Sequence, residues 1–177
     1  DKESENNVFV LDDELEHVGN LTGLAPGESI FSTRYMGDRL YMVTFEQVDP
    51  FFVIDLSDPQ DIESLGKLKI PGLSRYLHPY DDDTIIGIGR NATETGRSKG
   101  LKISLFDVSD VSDPQQVESY VTDERHARSE ALTEHKAFLF SREKNLLVIP
   151  AYTPRYYTYE QGQSYNGAFV FNISKDE

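Results

Sequence analysis

Short runs of β-branched and aromatic residues, each closed by a polar turn, recur along the chain. Four of them line up: Val8-Phe9-Val10-Leu11, Phe51-Phe52-Val53-Ile54, Ile103-Ser104-Leu105-Phe106 and Ala168-Phe169-Val170-Phe171, ending on Asp12, Asp55, Asp107 and Asn172. The closing residues are offset by 43, 52 and 65 positions. The same turn follows two of them, Leu56-Ser57-Asp58-Pro59 and Val111-Ser112-Asp113-Pro114. Asp-Pro ends a strand for a physical reason: proline has no N–H for the ladder, and the aspartate side chain bonds its own backbone in a turn.

A second element repeats behind the first. Val18-Gly19-Asn20-Leu21 aligns with Leu65-Gly66-Lys67-Leu68, each running on to Pro-Gly, and Val117-Glu118-Ser119-Tyr120-Val121 takes the third place. Hairpins with period-two apolar alternation come next, over residues 30–35 with 39–45, 74–80 with 84–89, and 135–140 with 145–150. Only 123–132 has the composition for a short helix, and a loop fits it equally well. The chain is expected to be all-β.

Four short strands per repeat of this length is the pattern of β-propeller blades of four-stranded antiparallel sheets. With strands lettered a to d from the axis outward, the order is c-d, a-b-c-d twice, then a-b-c. That is about 13 strands, or about three and a quarter blades. The expected segment covers 8–174, divided into c-d strands 8–22, a blade 30–70, a blade 73–122 and a-b-c strands 129–174, with polar tails at 1–7 and 175–177. A closed ring takes at least four blades, so the count points to part of a larger propeller or to pairing with a second copy, a small closed ring with atypical ends being the third reading. Edge strands separated from their blade invite pairing with another chain.

Composition narrows the classes of partner. Thirty-one acids against 17 Lys+Arg give a formal charge of −14, opposite to what a phosphate-backbone binder needs, so no nucleic-acid partner is expected. No apolar run reaches the length of a membrane span, so no membrane insertion by this segment is expected. The absence of Cys removes disulfides, thiolate zinc sites and cysteine nucleophiles. The polar opening, Asp1 to Asn7, carries no signal-peptide pattern, and the sequence reads as a soluble piece of a larger protein. Sequons at Asn20, Asn91 and Asn172 permit an extracellular reading, and the acidic excess fits a cell-surface setting.

Residues 32–45, with Val48-Asp49-Pro50 and 53–59, resemble the prokaryotic secreted proteins that carry a C-terminal β-propeller distantly related to WD repeats. Gly66 to Gly72, Tyr76 to Asp81 and His135 to Phe140 extend the likeness, which covers about 8–174. The Ile54-Asp55-Leu56-Ser57-Asp58-Pro59 element is similar to LVIVD-type repeats of bacterial surface proteins. The resemblance implies a propeller on an exported or membrane-tethered protein and implies no reaction. Members of that family are several times longer, and Phe106-Asp107 stands where a WD repeat has Trp-Asp.

Chemistry-bearing residues are few. His78 and His135 fall on or beside a-strands, where a histidine either ties blades together or faces a channel; with nearby acids they would suit a glycan-active hydrolase or lyase. Glu130 and His135 are five apart, a weak acid–imidazole signal. Asp81-Asp82-Asp83 fits a solvated hairpin turn, with bound calcium as the other reading. No other cofactor is indicated: P-loop, Gly-x-Ser-x-Gly and dinucleotide fingerprints are absent, and Gly87-Ile88-Gly89 reads as a close-packing spot. Two long b–c loops are expected, 91–100 and 152–166. The second carries Tyr152, Arg155, Tyr156, Tyr157, Tyr159 and Tyr165, half of the ten tyrosines, a composition typical of contact surfaces. The expected function is therefore non-enzymatic: an extracellular or cell-surface module that meets a protein or glycan through its loops. The hydrolase or lyase and a calcium-stabilised structural module are the rivals. Its open edge strands are expected to meet a second copy or further blades.

Overall fold

The computed structural model describes residues 4–45, 49–70, 72–92, 98–123, 126–153 and 165–175. Thirteen strands lie among them: β1 (Asn6–Leu11), β2 (His17–Leu24), β3 (Ser29–Met36), β4 (Arg39–Phe45), β5 (Asp49–Asp55), β6 (Glu63–Ile70), β7 (Leu73–Asp81), β8 (Thr84–Ala92), β9 (Ser98–Asp107), β10 (Gln115–Val121), β11 (Leu139–Ser141), β12 (Leu146–Tyr152) and β13 (Asn166–Asn172). They form four antiparallel sheets, β1-β2, β3-β4-β5-β6, β7-β8-β9-β10 and β11-β12-β13. The expected order of c-d, two full blades and a-b-c is thus the observed one.

Three separate apolar cores lie between successive sheets, because the strands of the two full blades are buried on both faces. In β4 and β5, Tyr41, Val43, Phe51 and Val53 point toward the next blade, joining Leu77, Ile85, Phe106 and Val108. Their alternates Met42, Phe52 and Ile54 point back to Leu24 and to Val8, Val10 and Leu21 of the first sheet. Alternation likewise sends Ile86, Ile88, Ile103 and Leu105 to the third core, with Phe138, Leu147 and Ile149. This explains why β4, β5 and β8 read as nearly continuous apolar runs. The Phe51 and Phe106 rings stack across the central core at 4.8 Å.

The same devices recur in each blade. In the three sheets that have an a–b hairpin, the N–H just past the c-strand bonds the a–b turn of its own sheet: Leu56 to the Asp38 carbonyl at 2.8 Å, Val108 to Asp83 at 2.8 Å and Ile173 to Asn145 at 2.7 Å. The closing aspartates fold the c–d turn, Asp55 Oδ1 accepting from the Ser57 amide and Asp107 Oδ1 from the Ser109 amide, both at 2.9 Å. Hydrogen bonding holds both carboxyls below their ordinary range, at Asp55 from the Ser57 amide and then its hydroxyl, and at Asp107 from the Ser109 hydroxyl and then its amide. Glycine in the d-strand seats the next blade's c–d turn: a Cβ on Gly19 would collide with the Pro59 carbonyl, and one on Gly66 with that of Val111 and, at 3.1 Å, with Pro114. The Gly87 reading is explained as well, since a Cβ there would stand 2.7 Å from the Phe106 ring and 2.9 Å from Ser74 Oγ.

The last sheet departs from the pattern at its start. Residues 135–138 do not extend the a-strand. His135–Ala137 is a 3₁₀ turn capped by Glu134, whose carboxylate accepts the Lys136 amide at 3.1 Å, and β11 begins only at Leu139. The helical expectation over 123–132 reduces to a second 3₁₀ turn, Glu130–Leu132, capped by Ser129.

Candidate functional site

The chain's clefts differ in what explains them. One of about 260 Å³ lies between β10 and β13, lined by Leu105, Glu118, Tyr120 and Phe171 among others. One blade earlier the matching d-strand residues Leu65 and Leu68 pack into the core beside Val111 of the following turn. Val117 and Tyr120 remain 53% and 49% exposed, and among the described residues no strand pairs with the outer edge of β13. The cleft is thus bounded by β10 and by the outer edge of β13, and its exposed d-strand face is the one that the following turn covers one blade earlier.

A second cavity, of about 250 Å³, is of another kind. It opens at the end of the third and fourth sheets where the β8–β9 and β12–β13 connections leave. Arg75 from β7, Arg90 from the end of β8 and Arg128 line it, with Ser129, Glu130, Thr133 and Tyr152. Register explains the convergence. Leu73 opposes Arg90 across β7 and β8, placing Arg75 close by. Arg128 is bonded to Tyr152 by a pair of backbone hydrogen bonds of 2.8 and 3.0 Å. The Ala127 carbonyl accepts from Arg90 Nη1 at 3.2 Å, and Ser129 Oγ accepts the Ala131 amide at 3.2 Å. The three guanidiniums thus sit on paired backbone rather than on loose loops.

Their charges feel one another. Burial, then the neighbouring charges of Arg128 and Arg75, hold the Arg90 pKa below its ordinary value, although it stays protonated. Arg75 lies over the Phe31 ring at 5.2 Å. Neither Arg75 nor Arg128 forms an ion pair with a described residue, and among the described residues Glu130 is the one carboxylate lining the cavity.

Of the residues singled out in the sequence, Tyr152 lies in this cavity, 36% exposed. Tyr165 closes the base of the same connection: its carbonyl accepts the Thr153 amide at 2.9 Å, its hydroxyl donates to the Ala168 carbonyl at 2.7 Å, and its ring stacks on Phe169. Arg155, Tyr156, Tyr157 and Tyr159 lie outside the described residues. His78 is half-buried between blades, its ring 4.8 Å from Phe138 and 5.5 Å from Phe140, with Nδ1 3.2 Å from the Tyr76 hydroxyl. Burial and then the Arg34 charge lower its pKa. His135 is exposed, 3.9 Å from Glu134, and no hydrogen bond or ring contact among the described residues joins it to His78 or Glu130. Asp81 of the triple-aspartate turn binds Lys175 Nζ at 2.8 Å and accepts the Asp83 amide at 3.1 Å. Among the described residues no group of three or more acids or histidines is arranged to hold a metal. The arginines were missed because each stands alone in sequence.

A family model described as a beta propeller domain matches residues 1–177. An uncharacterised protein of Methanocaldococcus jannaschii is 43% identical over 151 residues, which cover 85% of this chain and 23% of that protein. Another, from Archaeoglobus fulgidus, is 42% identical over 159 residues, or 89% of this chain and 24% of its own length. The chain therefore spans about a quarter of the length of the curated relatives it matches.

Proposed function

Since the chain belongs to the beta propeller domain family, we propose that it is a non-enzymatic module of an extracellular or cell-surface protein that holds a protein or glycan at the b–c-loop end of its blades. One observation carries this reading: three guanidiniums and an exposed tyrosine, fixed on paired backbone, surround one open cavity. Preorganised polar groups beside an aromatic ring are what a recognition site requires. Glycoside hydrolysis calls for two carboxylates flanking the scissile bond, and among the described residues Glu130 is the one carboxylate lining this cavity. The acidic excess, the sequons and the resemblance to exported propellers support the extracellular setting.

The test is binding of the immobilised chain to extracellular glycans and surface proteins, with Tyr152→Ala and Arg128→Ala in parallel. Binding lost in both variants, with no release of reducing ends, is expected. Partners held equally by both variants would refute the site. On the same reading, the outer edge of β13 takes a strand from a further blade or a second copy; a monomeric mass in solution would exclude the copy.

A further inference from the structure

We infer that the Arg75–Arg90–Arg128 cavity receives the carboxylate of an acidic sugar, a uronate unit within a polysaccharide. The inference rests on the recognition reading above and names its ligand class. Three of the nine arginines gather at one cavity of a chain whose net charge is −14. Like charges held together raise the energy of the empty site, and an anion relieves it. Acids are plentiful, yet neither Arg75 nor Arg128 pairs with one among the described residues. A guanidinium presents a planar fork of donors that matches a carboxylate with two parallel hydrogen bonds.

The remaining lining points to a sugar rather than to an acidic peptide. The Tyr152 ring offers an apolar face for a pyranose, while Thr133 and Glu130 bring a hydroxyl and an acceptor within reach of ring hydroxyls. A bound peptide gains affinity by adding a strand to an open edge. At this cavity β8 is flanked by β7 and β9, and the Arg128 and Tyr152 backbones are bonded to each other. On β7, the edge strand that carries Arg75, the Ser74 and Leu77 carbonyls already accept from Ser32 Oγ and Arg34 Nε. Nucleic acid is disfavoured by the overall charge.

The experiment titrates the 177-residue chain with oligogalacturonate, a neutral galactan oligomer of equal length and a poly-glutamate peptide. Oligogalacturonate is expected to bind, to weaken as salt rises, and to lose about tenfold in affinity for each of Arg75→Gln and Arg128→Gln. Both side chains are exposed, and a circular dichroism melt checks that the variants fold. Glu130→Gln is expected to tighten binding by removing a like charge, an effect that a structural role for Glu130 would not produce. Equal binding of the neutral galactan would overturn the carboxylate inference and leave the recognition reading standing. Poly-glutamate binding as well as oligogalacturonate would overturn the sugar assignment. Failure of all three to bind would overturn the inference, whereas partner binding indifferent to Tyr152→Ala and Arg128→Ala would overturn the recognition reading itself.

Discussion

With no cysteine in the chain, neighbouring blades hold together by packing and by hydrogen bonds such as those from Ser32 Oγ and Arg34 Nε to the Ser74 and Leu77 carbonyls, and the Phe51–Phe106 stack is the place to measure the packing. Both rings are fully buried, one from each full blade, at 4.8 Å and 21°. Alanine at either position would cost about 3–5 kcal/mol. The double alanine variant would then approach the whole stability of a domain, about 5–15 kcal/mol, and could not be measured reliably. Leucine is the better perturbation, at roughly 1–2 kcal/mol for each single change. If the rings couple as a stacked pair, the double variant Phe51→Leu/Phe106→Leu loses less than the two singles added, by about 0.5–1.5 kcal/mol. Urea unfolding followed by circular dichroism gives all four stabilities at one temperature. Strict additivity, within about 0.3 kcal/mol, would show that the blades are not tied through this pair.

Four further outcomes follow from the same geometry. Gly66→Ala drives a Cβ into the Val111 carbonyl and Pro114 and should cost about 1–3 kcal/mol, read as a lower urea midpoint; an unchanged midpoint would mean that the c–d turn does not seat there. His78 has a lowered pKa in the folded chain, so the unfolded chain takes up its proton first. Stability should therefore fall as pH drops below the ordinary value of 6.5 and level off beneath the folded pKa; His78→Phe should flatten that part of the profile, and an identical profile would contradict the interblade placement. The Asp81–Lys175 pair is partly exposed, so Lys175→Ala should cost no more than about 1 kcal/mol. Burial opposes the lowered pKa of Asp81, but the hydrogen bonds from the Lys175 side chain and the Asp83 amide prevail, so this contribution is present above its ordinary value of 3.8 and is lost as pH falls through the folded value. Because Asp81 is already bonded to Lys175, addition of EDTA should leave the melting temperature unchanged, and a drop of several degrees would instead favour calcium at the triple-aspartate turn.

The blades were legible because their signals are local. Each c-strand ends on a residue whose side chain or backbone closes the next turn, as Asp55 and Asp107 do, so apolar run and closing polar residue appear side by side in the sequence. Two-faced burial writes itself into β4, β5 and β8 as nearly continuous apolar runs. His135 was misplaced for an equally local reason: the apolar run from Ala137 to Phe140 reads as a strand that starts at His135, yet Glu134 caps a 3₁₀ turn first. The site was only half legible. Tyrosine enrichment drew attention to Tyr152, but Arg75, Arg90 and Arg128 lie 15 and 38 positions apart and meet only through the Leu73–Arg90 register and the Arg128–Tyr152 bridge. The one available clue was the hairpin itself: folding 74–80 on 84–89 about the aspartate turn brings Arg75 close to Arg90.

The most direct test of where this module binds is an amide-shift titration of the isotope-labelled chain with oligogalacturonate. Shifts are expected to concentrate at Arg75, Arg90, Arg128 to Thr133 and Tyr152, with the β10–β13 cleft and the His78–Phe138 contact undisturbed. The largest shifts at that cleft, or a uniform pattern across the blades, would contradict that expectation.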